Sequence, residues 1–181
     1  MTRGTRFTLV AVVVALALPA WLAGQARPGT VAGVRNFTHV DATVGCGGAT
    51  SPEAMAGLAR LGFKAVVNLR LATETGAAID ESKAAAEAAR LKYIHLPFNG
   101  AEPDPKVLDQ FILTVTDPEN QPVFVHCGTA NRVGAFWLAK RMLVDRWDEA
   151  RALEEAKAIG LSSEALQKFA LDYVAKRRGG R

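Results

Sequence analysis

PVFVHCGTANRVG, from Pro122 to Gly134, contains the sharpest change of pattern in the chain. A β-prone apolar run (122–126) leads into a short polar loop, and the loop passes without a break into a helical sequence. A strand that feeds a helix through so tight a turn is the repeating unit of a parallel sheet covered by helices. The segments on either side follow the same rhythm. Residues 64–69 (KAVVNL) and 93–96 are further strands, and 42–46 is a shorter one ending in Gly47-Gly48. Between them, Ser51-Pro52 supplies a helix cap with proline at the first helical position, and Met55, Leu58 and Leu61 share one face before Gly62. Residues 79–90 are alanine-rich and helical, and Asp104-Pro105 opens a helix with Val107, Phe111 and Val115 at helical spacing. Residues 133–143, 147–159 and 163–176 are three closing helices. The fold class expected is α/β: a single domain with a central, mostly parallel sheet of about four to five strands flanked by helices.

Sheets of this kind hold ligands at the carboxyl ends of their strands, which singles out the turns at 45–51, 70–75, 98–104 and 127–132. In the last of these, Cys127 begins a loop whose backbone amides can converge, and the loop closes on a helix N-terminus. Oriented amides and the helix dipole together make an anion cradle. The same field favours thiolate over thiol. Arg132 offers a bidentate fork to a tetrahedral oxyanion that Cys127 could attack. Gly128 and Asn131 are expected to take the positive φ a tight turn requires, and Gly134 to let the helix approach the sheet. The alternatives are a buried apolar cysteine, a surface ion pair for Arg132 and an ordinary strand-end histidine for His126. Arg70 leaves a strand toward the same edge and could steer anions, or could pair with Glu74. His39 and His95 read as structural.

Composition narrows the classes further. The 181 residues are 49% apolar and 22% charged, which excludes a disordered chain. Two cysteines and three histidines are too few for a zinc framework or a disulfide scaffold, so no metal and no cofactor are expected. Arg3 and Arg6 precede the uninterrupted apolar run 9–18, followed by Pro19 and the small residues Ala23-Gly24-Gln25-Ala26. That order describes a secretory signal. The apolar stretch 7–23 is at the short limit for a membrane span, so an uncleaved anchor is the alternative. The expected layout is a signal peptide at 1–26, a linker at 27–35, a domain at 36–175 and a basic tail at 176–181. The mature protein is expected to be secreted or periplasmic, without stable membrane association. Without Arg3 and Arg6, 20 basic residues face 18 acidic ones; without the tail as well, 16 face 18. A near-neutral body does not suit nucleic acid.

His-Cys, a short loop, Arg and then a helix resembles the signature of cysteine-dependent tyrosine and dual-specificity phosphatases. The sequence is most similar to the bacterial beta-lactamase-hydrolase-like phosphatase family. The resemblance runs from about Asn36 to Tyr173, through Asn36-Phe37, the 45–48 turn, Leu58-x-x-Leu61-Gly62-Phe63, Val67-Asn68-Leu69-Arg70 and the cysteine loop. It implies a dual-specificity-phosphatase-like fold, with Cys127 as nucleophile, Arg132 as phosphate clamp and His126 steadying thiolate and loop. Gly128, Thr129, Ala130, Asn131 and Val133 would line the phosphate site, and a phosphorylated protein or small phosphate ester would be the substrate. Relatives take a general acid from the loop after the third strand; Asn99 stands where that Asp would be, leaving Glu102 or Asp104 as donors. The loop has four residues between Cys127 and Arg132 where most tyrosine phosphatases have five, and Val133 replaces a hydroxyl residue. The loop length also fits a rhodanese-like sulfurtransferase with a Cys127 persulfide, and the missing hydroxyl fits a non-catalytic anion or phosphoprotein binder. The 45–48 turn lies near the cysteine loop in the resembled fold, so Cys46 is a candidate redox partner for Cys127; the alternative is a small loop filler.

Overall fold

The central strand is β6 (Val123–His126), buried along its whole length because both faces of the sheet are covered. It has β3 (Val44–Gly47) on one side and β4 (Ala65–Asn68) on the other, and β5 (Lys92–His95) lies outside β4; all of these pairs are parallel. In this computed structural model, which describes residues 26–180, two short strands extend the sheet beyond β3. They are β1 (Arg27–Pro28) and β2 (Thr38–His39), both antiparallel, giving the order β1-β2-β3-β6-β4-β5. The sheet thus has six strands, not four to five, with the four expected strands forming its parallel part.

Among the described residues, six α-helices complete the architecture: α1 (Ala54–Arg60), α2 (Ile79–Ala88), α3 (Pro105–Thr116), α4 (Asn131–Leu143), α5 (Glu149–Ile159) and α6 (Glu164–Gly179). Alternation along the strands sorts side chains to two cores. Val66 and Phe124 join Phe37, Met55, Leu58 and Phe63 on the α1 side. Val67, Val125 and Cys127 join Phe111, Phe136, Trp137 and Ala170 on the other. Asp104 caps α3 by accepting from the Lys106 amide at 2.9 Å.

Several local expectations change. The segment expected as a linker, 27–35, is part of the fold: β1 pairs with β2, Val34 bridges Thr50, and Val31 is buried. The basic tail continues α6 as far as Gly179. Helix α1 starts at Ala54, with no side-chain cap from Ser51. Gly134 faces α5 and the chain beyond it, not the sheet; a Cβ there would stand 2.7 Å from the Ala156 carbonyl oxygen and 2.9 Å from Leu161. The expected signal segment falls almost wholly outside the described residues. Among the described residues, no helix is long and apolar enough to cross a membrane.

Candidate active site

The parallel strands deliver four chain segments to one end of the sheet. After β6, Cys127 extends the ladder by donating to the Gly47 carbonyl at 3.3 Å, and the chain then turns. Ala130 makes the turn in the left-handed region at φ 68°. That position belongs to neither Gly128 nor Asn131, as expected from residue type, but to an alanine locked against Gly160, where a Cβ would lie 2.9 Å from its own. The loop carbonyls are drawn outward: Gly128 accepts from the Ala49 amide at 2.9 Å and Ala130 from Gly134 at 2.9 Å. The amides of residues 128–133 donate to no protein acceptor among the described residues. Six consecutive free N–H groups at a helix N-terminus are an anion-binding surface.

Arg132 is held from one side. Its Nη1 donates to Glu74 Oε1 (2.6 Å), the Leu69 carbonyl (3.1 Å) and the Phe98 carbonyl (3.1 Å), and its Nη2 donates to Glu74 Oε2 (2.8 Å). A guanidinium has five N–H donors, so the Nε–H and one Nη2–H, which form a fork along the other edge, have no oxygen acceptor among the described residues and are left to the Cys127 sulfur. Burial opposes the Arg132 charge, but the Glu74 hydrogen bond, with the Cys127 and Glu74 charges, raises its pKa above the ordinary value. Burial likewise pushes Glu74 up, yet the bonds from Arg132 and the Leu71 amide outweigh it and bring the carboxyl to about 2. Glu74 is the site residue that sequence reasoning missed. Only its local partner Arg70 was visible there, because a partner 58 positions away leaves no spacing to read.

The remaining candidates divide clearly. Arg70 does not steer anions: it is buried and spent on Glu74 (3.2 Å), the Thr75 carbonyl (2.7 Å) and the Gly76 carbonyl (2.6 Å). His126 is fully buried and stacked on Phe124; burial, then the Arg70 charge, lowers its pKa to about 3, so the ring is neutral. Asn131 turns its side chain away, accepting from the Ser162 and Ser163 amides at 2.9 Å each. The Val133 side chain packs in the core, so only its amide reaches the site. Thr129 is exposed and Gly128 half-buried at the loop rim. Glu102 and Asp104 are both exposed, and Asp104 is engaged as the α3 cap.

Cys46 and Cys127 share a core but do not pair. Both thiols are free. Cys46 sits opposite Val125, which places Cys127 one strand across and two residues along, roughly 8 Å between Cα atoms at standard strand spacing. That exceeds a disulfide's span without backbone movement. Burial, reinforced by Glu155 and Asp41, pushes the Cys46 thiol well up, which keeps it protonated and unreactive.

A buried cysteine under a ring of free amides, with an arginine fork beside it at the strand ends of an α/β sheet, defines a cysteine-dependent phosphatase of the dual-specificity type. Residues 30–172 match the family described as DSP-PTPase phosphatase fused to NAD+ kinase, and the chain belongs to it. No curated protein sequence matches. Among solved structures, Pseudomonas aeruginosa TpbA superposes with a TM-score of 0.64 at 24% identity, over 84% of this chain and 89% of that one. The core catalytic domain of Saccharomyces cerevisiae SIW14, described as a PP-IP phosphatase, gives 0.65 at 18% identity, over 83% and 95%. The active form of Tk-PTP gives 0.64 at 23% identity, over 76% and 94%.

Proposed function

We propose that the protein is an exported phosphatase that hydrolyses phosphate monoesters through a phosphocysteine on Cys127. The observation that carries this reading is the set of six unpartnered amides at 128–133 beside the free fork of Arg132. Together they match the trigonal oxygens of a phosphoryl group in transfer, where stabilisation must act on charge in the transition state. The Cys127 thiolate attacks phosphorus, the ester oxygen leaves with the bonding pair and takes a proton, and water then displaces the thiolate to release phosphate. Arg132 orients the group through two parallel hydrogen bonds. A neutral His126 supplies packing beneath the loop and no charge. Phosphorylated proteins and small phosphate esters both suit the site; one structural neighbour of this fold, TpbA, has been solved with phosphotyrosine.

Cys127→Ser is expected to abolish p-nitrophenyl phosphate hydrolysis, and vanadate to inhibit the wild-type protein. Absence of turnover by reduced wild-type protein would overturn the phosphatase reading, and thiocyanate formed from thiosulfate and cyanide would replace it with sulfur transfer. Export is supported by the 1–26 pattern, and cleavage after Ala26 leaves β1 intact. N-terminal sequencing of the exported protein should begin near Arg27; retention of the apolar segment would make it an anchor.

A further inference from the structure

We propose that Asn99-Gly100 is a self-modifying site, where spontaneous deamidation sets a carboxyl group one residue from the Arg132 brace and so supplies a proton donor. The catalytic consequence rests on the phosphatase reading above; the covalent change does not.

Departure of a poor leaving group needs a proton, and the loop after β5 offers no carboxylate close to the clamp. Asp104 caps α3, and Glu102 lies three residues further along the loop, exposed. Asn99 directly follows Phe98, whose carbonyl accepts from Arg132 at 3.1 Å and whose amide donates to Leu69 at 3.2 Å. Position 99 is therefore one peptide unit from the phosphate clamp. A carboxamide there can donate a hydrogen bond but cannot transfer a proton.

The local geometry favours conversion. Asn99 Oδ1 accepts from the Ala101 amide at 3.0 Å. This bond folds the carboxamide back over the intervening peptide, toward the Gly100 nitrogen, and draws electron density from Cγ. Among the described residues the Gly100 amide donates no hydrogen bond. Gly100 is exposed, and a Cβ there would meet only Leu166 Cδ2 at 3.4 Å, so the loop is uncrowded at this residue. The loop lies outside helix and strand, so no ladder or helical hydrogen bond opposes ring closure.

The Gly100 nitrogen attacks Asn99 Cγ. A Cγ–N bond forms, the Cγ–Nδ2 bond breaks, and ammonia departs carrying the Gly100 amide proton. Water then adds to one carbonyl of the cyclic imide. Opening at Cγ restores the normal main chain with a side-chain carboxyl, whereas opening at the backbone carbonyl gives the isoaspartyl link. Water enters, ammonia leaves and no electrons are exchanged.

The test follows purified, reduced protein in mildly alkaline buffer by peptide mass mapping, alongside Gly100→Ala and Asn99→Asp. The peptide spanning Asn99 is expected to gain the mass of an amide-to-acid change, with two separable products, and Gly100→Ala to slow it strongly. Asn99→Asp is expected to raise kcat on a phosphoserine peptide about a hundredfold over fresh wild type. The gain should be smaller on p-nitrophenyl phosphate, since that leaving group departs without protonation. An unmodified Asn99 in aged protein would overturn the proposal. Conversion without any rate gain in Asn99→Asp would overturn its catalytic half. Conversion in a protein inactive on every phosphate ester would remove the phosphatase reading and leave the modification site standing.

Discussion

Helix α4 carries an arginine at each end, and the two are treated differently. Arg141, in the last turn, donates to Glu155, Asp145 and Asp41 at 2.6–3.1 Å and lies between Trp137 and Trp147, 4.7 and 4.3 Å from their ring centroids. Three carboxylates surround one guanidinium, at the helix end where the dipole favours a cation. Arg132, in the first turn, has one carboxylate and keeps a two-donor edge with no oxygen acceptor among the described residues, at the end where the dipole favours an anion. The first arrangement binds elements together, with four of five donors in use. The second leaves an edge suited to the oxyanion proposed above. Side-chain exposure differs little, 7% against 15%, so what separates the two arginines is the open donor edge.

The comparison can be broken from both ends. Arg132→Ala is expected to lower kcat/KM by about 10³-fold or more, measured on folded protein at equal concentration. Arg141→Ala should leave activity per folded molecule close to wild type while costing about 3–5 kcal/mol of stability by urea unfolding, because Glu155 is left buried and unpaired. Reversal of the two outcomes would invert the assignment. Glu74→Gln keeps the shape of the Arg132 brace but weakens it, with an expected loss of about tenfold to a hundredfold in kcat/KM. Since the Glu74 carboxyl sits near 2, below its ordinary 4.5, its contribution to stability is fully present above about 4.5 and is lost as pH falls toward 2. The wild-type rate should carry no titration from it between pH 5 and 8, and acid unfolding should be shallower in Glu74→Gln. Gly134→Ala has the smallest expected effect, about 1–3 kcal/mol of destabilisation from pressing a methyl against Ala156 and Leu161.

The four parallel strands and the helices were legible because apolar runs and helical spacing are local signals. β1 and β2 were not, since two-residue strands beside Pro28 and Gly29 have no period to detect. The cysteine loop was recognisable from residue order, but its conformation was misread: alanine does not advertise a left-handed turn, and packing against Gly160 imposes one. The position of Arg132 on the loop is legible in the sequence and its brace is not, because Glu74 looks locally like the partner of Arg70 alone. Cys46 looked like a redox partner because two thiols near one strand end invite pairing, and only the register shows that they are offset.

One side chain ties its own exit from β6 to two others: the Arg132 guanidinium grips Leu69 and Glu74 after β4 and Phe98 after β5. A ligand seated on its open edge therefore stiffens the whole rim as a single body. Oxyanions that occupy the cradle should thus slow hydrogen exchange in segments they never touch.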